Sequence, residues 1–266
     1  MKTYGQRIVT TAAILCNLTI YAVVRQLSRR KRGWLQSGLH WYRFPFSLRN
    51  RVLWSPALKA WFCPMDEDAI EGMLKLPEYE PVHWVAPAPG DVFIDVGAYV
   101  GWYSIYSSRL VGPSGRVVAL EPDSVNRRQL ERNIALNEVK NVCVVPRAAW
   151  SRTGSVGWHA SSVPMWHSID PDHGQDSVEA ISVDELVRQM DLRRVDWMKL
   201  DVEGAELGVL EGTNDTLHRF HPALFIELHE TFDAVQTFLA THGYQTVHLA
   251  FDQEPRRHGW ILARQA

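Results

Sequence analysis

Carboxylates stand directly after several apolar segments of this 266-residue chain. In parallel α/β folds, ligands bind beyond the carboxyl ends of the strands, so these positions could do chemistry. The first segment ends in Asp95 and runs on as Val-Gly-Ala-Tyr-Val-Gly, with Gly97 and Gly101 four residues apart. A dinucleotide loop needs G-x-G-x-x-G, and a carboxylate here would repel a pyrophosphate. The loop therefore favours a ligand that carries positive charge.

A second acidic residue, Glu121, lies twenty residues after Gly101, at the end of the next apolar segment. At this spacing an acidic side chain accepts hydrogen bonds from ribose hydroxyls. Pro122 then ends the strand. Both features fit S-adenosylmethionine, which has a ribose, a sulfonium and an α-ammonium group.

Further carboxylates follow two later apolar segments. One is followed by Asp201, Glu203 and Glu206, and the next ends in Glu227, Leu228 and His229. Carboxylates also favour helix amino termini, so helix capping is an alternative role for the first group. Lys199, two residues earlier, suggests a charge-paired site. Glu227 and His229 should point to the same side of an extended strand.

The elements that must position these residues alternate regularly from Pro87 onward. Strands are predicted at 91–96, 116–120, 141–145, 195–200, 223–228, 244–250 and 260–263. Helices are predicted at 101–110, 124–137, 182–190, 203–210 and 232–242, with Ser182 and Glu185 forming a capping pattern. We expect an α/β fold whose seven-stranded, mostly parallel sheet has helices on both faces. Residues 147–177 are predicted to be irregular and to build the acceptor pocket.

Four segments, in order, carry a family resemblance: DVGAYVG, ALEPDSVNRRQLERNIALN, VDWMKLDVEGAELGVLEG and PALFIELHE. Over about residues 89–244 the chain resembles the FkbM family of S-adenosylmethionine-dependent methyltransferases. The resemblance implies a class I Rossmann-like fold and O-methylation of a sugar, glycolipid or related metabolite. Asp201, Glu203, Gly204 and Glu206 match the family's D-x-E-G-x-E segment, and Tyr99 stands where the family often has Asn.

Spacing and resemblance together give the predicted site. The predicted cofactor-binding residues are Asp95, Gly97, Ala98, Gly101, Glu121, Pro122, Ala148 and Asp201, with Ala148 placed where an adenine would lie. Methyl transfer mainly requires alignment of donor and acceptor, and a base that removes the hydroxyl proton adds roughly 10²–10⁴-fold. The predicted catalytic residues are Asp201, His229 and Glu203.

No metal is included in the predicted site. Mg²⁺ held by Asp201, Glu203 and Glu227 is the alternative way to acidify the hydroxyl. His159, His167 and His173 match no zinc spacing and are assigned to an acceptor-binding loop. The three cysteines are widely separated, which excludes a disulfide framework or a CxxC zinc site and favours a reducing compartment.

Charge divides the chain into two parts. Residues 1–64 contain eleven basic and no acidic residues, whereas the remainder contains 17 basic and 30 acidic residues. Residues 8–24 are free of charge and just long enough to span a bilayer, and the basic cluster Arg29–Arg32 follows them. Because the more basic flank stays inside, the catalytic domain is expected to face the cytoplasm. The alternative is that this segment packs on the domain as a helix.

The predicted organisation has three parts. Residues 1–32 form a membrane-anchor helix with a basic flank, 33–86 an aromatic and basic subdomain, and 87–266 the S-adenosylmethionine-binding domain. Residues 1–64 are expected to meet an anionic membrane surface. The resulting hypothesis is a membrane-associated O-methyltransferase with a small-molecule, glycan or lipid-linked acceptor.

Two other functions are open. A nucleic-acid methyltransferase is disfavoured, because the loop after the fourth strand reads Leu-Asp-Val-Glu rather than Asn/Asp-Pro-Pro-aromatic. No nucleic-acid partner is therefore expected. A membrane-tethered protein that binds the cofactor without turnover is the other alternative.

Overall fold

The computed structural model describes residues 52–55, 57–65, 69, 73, 81–161, 167–169, 174, 176–251 and 258–266. The predicted anchor at 8–24 and the basic cluster after it lie outside these residues. Within the part of the chain that is described, no helix is both long and apolar enough to cross a bilayer.

Thirteen strands are present in the described residues. They are β1 (Leu53–Ser55), β2 (Ala60–Phe62), β3 (Val92–Val96), β4 (Arg116–Leu120), β5 (Val142–Val145), β6 (Ala148–Ala149), β7 (Gly154–His159), β8 (Ser168–Ile169), β9 (Asp176–Ile181), β10 (Trp197–Leu200), β11 (Ala223–His229), β12 (Tyr244–Phe251) and β13 (His258–Gln265). Six α-helices accompany them: α1 (Trp102–Val111), α2 (Ser124–Leu136), α3 (Val183–Gln189), α4 (Glu206–Glu211), α5 (Asn214–Phe220) and α6 (Phe232–Thr241). A 3₁₀ turn covers Val82–Trp84.

The central sheet has seven strands in the order β12–β13–β11–β10–β3–β4–β5. Neighbours from β11 to β5 are parallel, and β13 runs antiparallel between β11 and β12. The predicted seven-stranded, mostly parallel sheet is therefore confirmed. Buried parallel strands are almost wholly apolar, which is why these segments could be recognised.

Helices cover both faces of this sheet, as predicted. Side chains of α3, α4, α5 and α6 share one apolar core with β3, β4, β10 and β11. Helix α1 shares the opposite core, which includes Phe93 and Phe225. Ser182 caps α3 by accepting a hydrogen bond from the Glu185 backbone N–H at 3.3 Å, which confirms the capping pattern.

The prediction for residues 147–177 was wrong in one respect. Strands β6, β7 and β8 of this segment form a second, four-stranded sheet together with β9, which begins at the end of the segment and runs to Ile181. Strands β7 and β8 are short and contain Ser, Gly and His, so their sequence does not alternate clearly between apolar and polar residues. Cross-strand pairing stabilises this sheet, and pairing between distant segments is not visible in local sequence.

The predicted helix at 203–210 also begins later than expected, at Glu206. Glu203 and Gly204 precede it with φ of 50° and 95°. Such left-handed backbone is incompatible with a right-handed helix. Glu203 therefore lies in a tight turn between β10 and α4, not in a helix.

The hairpin of β1 and β2 packs against helix α2. The Asn133 side chain accepts a hydrogen bond from the Cys63 N–H at 2.9 Å and donates one to the Val100 carbonyl at 2.9 Å. Asn137 accepts from the Trp61 N–H at 3.0 Å. Leu53 and Phe62 are buried in the same core as α1. The described part of residues 33–86 thus packs on the domain that begins at residue 87.

Candidate functional site

A cavity of about 390 Å³ opens at the carboxyl ends of β3, β4 and β10. Its size is in the usual range for small-molecule and cofactor sites. Six of the predicted cofactor-binding residues line it: Gly97, Ala98, Glu121, Pro122, Ala148 and Asp201. The predicted catalytic residues Glu203 and His229 also line it. The structure therefore brings most of the predicted site to one place.

Two predicted cofactor residues lie beneath the cavity wall. Asp95 is fully buried, accepts a hydrogen bond from the Ser104 hydroxyl, and lies 3.7 Å from the Lys199 ammonium. Burial raises its pKa, although the Lys199 charge acts in the opposite direction. Gly101 has φ of 91°, and a Cβ there would overlap the Leu130 side chain. Both residues support the loop from below.

Contact with the loop after β10 requires glycine at position 97. Its φ is 73°, and an added Cβ would overlap the backbone carbonyl oxygen of Asp201. The loops after β3 and β10 therefore touch at this residue. Lys199 ties the same loops together, since its ammonium donates to the Gly97 carbonyl at 2.9 Å and to Asp201 Oδ2 at 3.0 Å. The charge-paired site suggested by Lys199 is confirmed.

Glu121 is a buried carboxylate at the cavity wall. Its two oxygens accept hydrogen bonds from the backbone N–H of Tyr99 at 2.8 Å and of Asp123 at 2.9 Å. Burial raises the pKa of Glu121 to about 8, against the effect of these two hydrogen bonds. Asp123 caps α2 by accepting from the Val125 and Asn126 N–H groups, each at 2.8 Å. Glu121 is thus held at a fixed position just before a rigid helix.

The acidic groups after β10 and β11 form a connected cluster. His229 Nε2 lies 3.4 Å from Glu203, and His229 Nδ1 lies 2.9 Å from Glu206 Oε1. Glu206 is fully buried and also accepts hydrogen bonds from the Gly204 N–H and the Thr231 hydroxyl. Helix capping, the alternative role given above for these carboxylates, does not by itself account for Glu206, because its carboxylate also orients His229.

The protonation of this cluster follows from its crowding. Burial and the Asp201 charge raise the pKa of Glu203 to about 7. Burial would lower the pKa of His229, but the hydrogen bond to Glu206 and the charge of Glu203 outweigh it and raise the pKa to about 9. Burial likewise opposes ionisation of Asp201, but the Lys199 charge prevails and lowers its pKa. Asp201 is therefore a stable anion, and His229 carries a proton at neutral pH.

Two groups of residues could hold a cation. The structure groups Asp201 and Glu203 with His229, and it groups Glu227 with His229 and His258. Within each group the possible ligand atoms lie within 4.8 Å of one another. The carboxylates of the predicted Mg²⁺ alternative are thus divided between two clusters that share His229.

Sequence reasoning missed several residues of the cavity wall. His258 lies directly across from His229 in the β11–β13 register, a long-range pairing that local sequence does not show. The second sheet brings Trp158, His167 and Ile169 to the wall. His167 was assigned to an acceptor-binding loop from its segment alone, whereas His173 lies outside the described residues.

The protein is similar to known methyltransferases. Residues 95–246 match the family model described as the methyltransferase FkbM domain. Methyltransferase 1 of Beauveria bassiana is 29% identical over 188 residues, which cover 60% of this chain and 75% of that protein. The 31-O-demethyl-FK506 methyltransferase FkbM of Streptomyces tacrolimicus is 26% identical, covering 62% of this chain and 76% of that one.

A solved structure agrees at the level of the fold. Methyltransferase FkbM from Methylobacillus flagellatus aligns with a TM-score of 0.51 and 19% identity. The alignment covers 70% of this chain but only 46% of that protein, which is less than half of its length. The family model alone covers more than half of the present chain. The chain therefore belongs to the FkbM methyltransferase family.

Proposed function

We propose that the protein is an S-adenosylmethionine-dependent O-methyltransferase that acts on a hydroxyl of a sugar, glycolipid or related metabolite at a membrane. The observation that carries this proposal is that Gly97 and Glu121 line the same cavity, beside the turn formed by the D-x-E-G-x-E segment of the family. Family membership supports the methyl transfer. The basic and apolar amino-terminal sequence supports association with a membrane.

The cavity suits S-adenosylmethionine better than a dinucleotide. Glu121 offers carboxylate oxygens to ribose hydroxyls, and Ala148 offers an apolar wall to an adenine. Asp201 supplies an ionised carboxylate at the cavity, and ionisation of Glu121, Glu203 or Glu227 adds to this negative potential, which favours a sulfonium and disfavours a pyrophosphate. When bound, this cofactor supplies an electrophilic methyl group.

The residues after β10 have separable roles in the proposed reaction. Asp201 stays ionised beside Lys199 and maintains negative potential at the end of β10. Glu203 is placed in the cavity by a left-handed turn, a conformation that costs free energy in a non-glycine residue and concentrates at functional sites. We assign proton acceptance from the hydroxyl to Glu203. His229, oriented by Glu206, holds the Glu203 carboxylate in position.

The activity is tested with the full chain and cofactor labelled in the transferred methyl group. Transfer to a lipid-linked or glycan fraction, with the label in an ether, is expected. Glu203→Gln should lower the turnover number by roughly 10²-fold or more while cofactor affinity changes little. Glu211→Gln, at the carboxyl end of α4, is the matched control and should behave as wild type. Cofactor binding without transfer to any fraction would favour the alternative of a binding protein without turnover.

The membrane contact is tested separately with vesicles. We propose that residues 1–64 bind an anionic bilayer and leave the catalytic domain on the cytoplasmic side. The full chain should float with vesicles that contain an anionic lipid. Replacement of Arg29, Arg30, Lys31 and Arg32 by Gln should reduce flotation with anionic vesicles, because each basic residue contributes about 1 kcal/mol near an anionic membrane surface. The reduction should be largest for vesicles from which added salt releases the wild-type protein. Equal flotation with neutral vesicles would contradict the electrostatic part.

A shortened protein must retain the β1–β2 hairpin. A chain that starts near Asp66 would lose Leu53, Leu58 and Phe62, which are buried in the core beside α1. Loss of activity in such a protein would report unfolding rather than loss of lipid contact. A start immediately before Val52 keeps these side chains and removes the predicted anchor.

A further inference from the structure

Two histidines and a carboxylate meet at the open end of strands β11 and β13. His229 and His258 are directly opposite each other in the antiparallel register, and their ring centroids are 5.1 Å apart. Glu227 lies two residues before His229, on the same face of β11. His258 Nε2 lies 2.7 Å from Glu227 Oε1. One ligand atom from each of the three residues falls within 4.8 Å of the others.

His229 has the hydrogen bonding of a metal-binding histidine. Its Nδ1 contacts the fully buried carboxylate of Glu206 at 2.9 Å, while its Nε2 faces the cavity side of the cluster, 3.4 Å from Glu203. Metal-bound histidines usually direct their second ring nitrogen to a carboxylate, which fixes the ring and the tautomer. Glu206 is itself fixed by the Thr231 hydroxyl and the Gly204 N–H. The orientation of His229 is therefore set before any ligand arrives.

The charge around the three residues favours a cation. Asp201 and Glu203 approach His229 from the β10 side and form a second possible ligand group with it. The Lys199 ammonium is engaged by Asp201 and by the Gly97 carbonyl. The three carboxyl groups of Asp201, Glu203 and Glu227 thus outnumber the two cationic groups, Lys199 and the His229 imidazolium, and a metal bound at His229 Nε2 displaces the proton of that nitrogen.

We propose that Glu227, His229 and His258 bind a divalent transition-metal cation at the edge of the cavity. Ligand atoms around a tetrahedral zinc lie roughly 3.4 Å apart, so the three side chains need only to converge by rotation. His₂Glu is an established ligand set for a catalytic cation that keeps one position open. Two imidazoles favour zinc, iron or nickel over Mg²⁺, which prefers oxygen ligands.

The role of this cation, unlike the site itself, rests on the proposed function. In its open position it would bind the acceptor hydroxyl and lower the pKa of that hydroxyl. The O–H bond then breaks, the oxygen keeps the electron pair, and the proton passes to Glu203 and on to water. With the cation on His229 Nε2, the bond to the cation replaces the 3.4 Å contact of that nitrogen with Glu203, and the left-handed turn after β10 keeps Glu203 at the cavity.

Calorimetric titration of the full chain, after dialysis against a chelator, tests the site without requiring activity. Zn²⁺ should bind with a stoichiometry of one and should raise the melting temperature, because a ligand that binds the folded state stabilises it. Mg²⁺ should bind far more weakly. His258→Gln, at a partly exposed position, should reduce Zn²⁺ affinity at least tenfold without changing the melting temperature of the metal-free protein. His218→Gln, on the exposed face of α5, is the matched control.

The outcomes separate this proposal from the methyltransferase proposal. Absence of stoichiometric Zn²⁺ binding, or equal affinity in wild type and His258→Gln, overturns the metal site. S-adenosylmethionine binding is measured in the same samples, and intact binding together with label transfer would then leave the proposed function standing. If the site is correct, Glu121→Gln should bind Zn²⁺ as wild type does.

Discussion

Glu121→Gln is expected to weaken S-adenosylmethionine binding more than tenfold at pH 8.5. The Glu121 carboxylate accepts the N–H groups of Tyr99 and Asp123 and has acceptor capacity left for ribose hydroxyls. The Gln amide has an NH₂ donor in place of one carboxylate oxygen. This donor would face an N–H or O–H donor, and no hydrogen bond can form between them. Hydrogen bonds to a charged group contribute about 1.5–3 kcal/mol each, so losing one accounts for an effect of this size. Calorimetric titration measures it, with Glu131→Gln on the exposed side of α2 as control.

The same site predicts a pH dependence of cofactor binding. Burial holds the pKa of Glu121 at about 8, so the carboxyl is largely protonated at pH 6. Hydroxyl donors favour the ionised form, and binding is therefore linked to proton release. Affinity should rise up to about tenfold per pH unit between pH 6 and 8 and then level off. Glu121→Gln should remove this component, and an unchanged pH profile in the variant would contradict the role of Glu121.

Protein stability should change with pH in the opposite direction. The folded-state pKa of Glu121 lies above its ordinary value of 4.5, so the folded protein binds this proton more tightly than the unfolded chain. The contribution of Glu121 to the free energy of unfolding therefore falls as pH rises from about 4.5 to 8. The free energy of unfolding of Glu121→Gln, measured relative to that of wild type, should therefore be more favourable to the variant at pH 9 than at pH 5. Thermal unfolding at both pH values distinguishes this from a general folding defect.

Gly97→Ala is expected to be the most destabilising substitution in the site. Alanine at φ of 73° costs roughly 1–2 kcal/mol, and the new Cβ would also overlap the Asp201 carbonyl oxygen. The overlap involves backbone, so the loops after β3 and β10 must separate, and the contacts of Lys199 with both would weaken. We expect a total loss above about 3 kcal/mol and loss of cofactor binding in any folded fraction.

Gly243→Ala is the matched control for the backbone term. Gly243 has nearly the same φ, 75°, but an added Cβ would meet only side-chain atoms of Gln265, at 3.8 and 4.0 Å. It should therefore lose only the roughly 1–2 kcal/mol of the left-handed conformation. Urea unfolding of both variants gives the difference. Equal losses would mean that the contact between the two loops contributes nothing to stability.

Local sequence was informative where function depends on the end of a buried strand. The strand ending in Asp95 and the strand before Glu121 are continuous apolar runs, so their ends, and the twenty-residue spacing to Glu121, could be located. The turn at Glu203 could not, because a short acidic segment with one glycine is compatible with a helix start. The residues D-x-E-G-x-E thus indicated the site but not its local conformation.

Contacts between distant segments were the part that sequence did not reveal. His258 reaches the site because β13 runs antiparallel to β11 in one particular register. A shift of that register by one residue would turn His258 to the other face. The second sheet likewise depends on pairing of β7 with β9 across residues that show no clear periodicity. Such information is carried by pairing between segments and not by any one of them.

Helix α2 fixes a distance between two parts of the molecule. Its amino terminus follows Glu121 at the cavity, and its last turns hold the β1–β2 hairpin through Asn133 and Asn137. Thirteen residues at 1.5 Å each make this helix about 20 Å long. The hairpin is the carboxyl-terminal part of the segment, residues 1–64, that we propose to bind the bilayer. With the hairpin at the bilayer surface and α2 directed away from it, an acceptor held in the bilayer by its lipid would have to present its hydroxyl at a comparable distance, which favours head groups of several sugars over a single one.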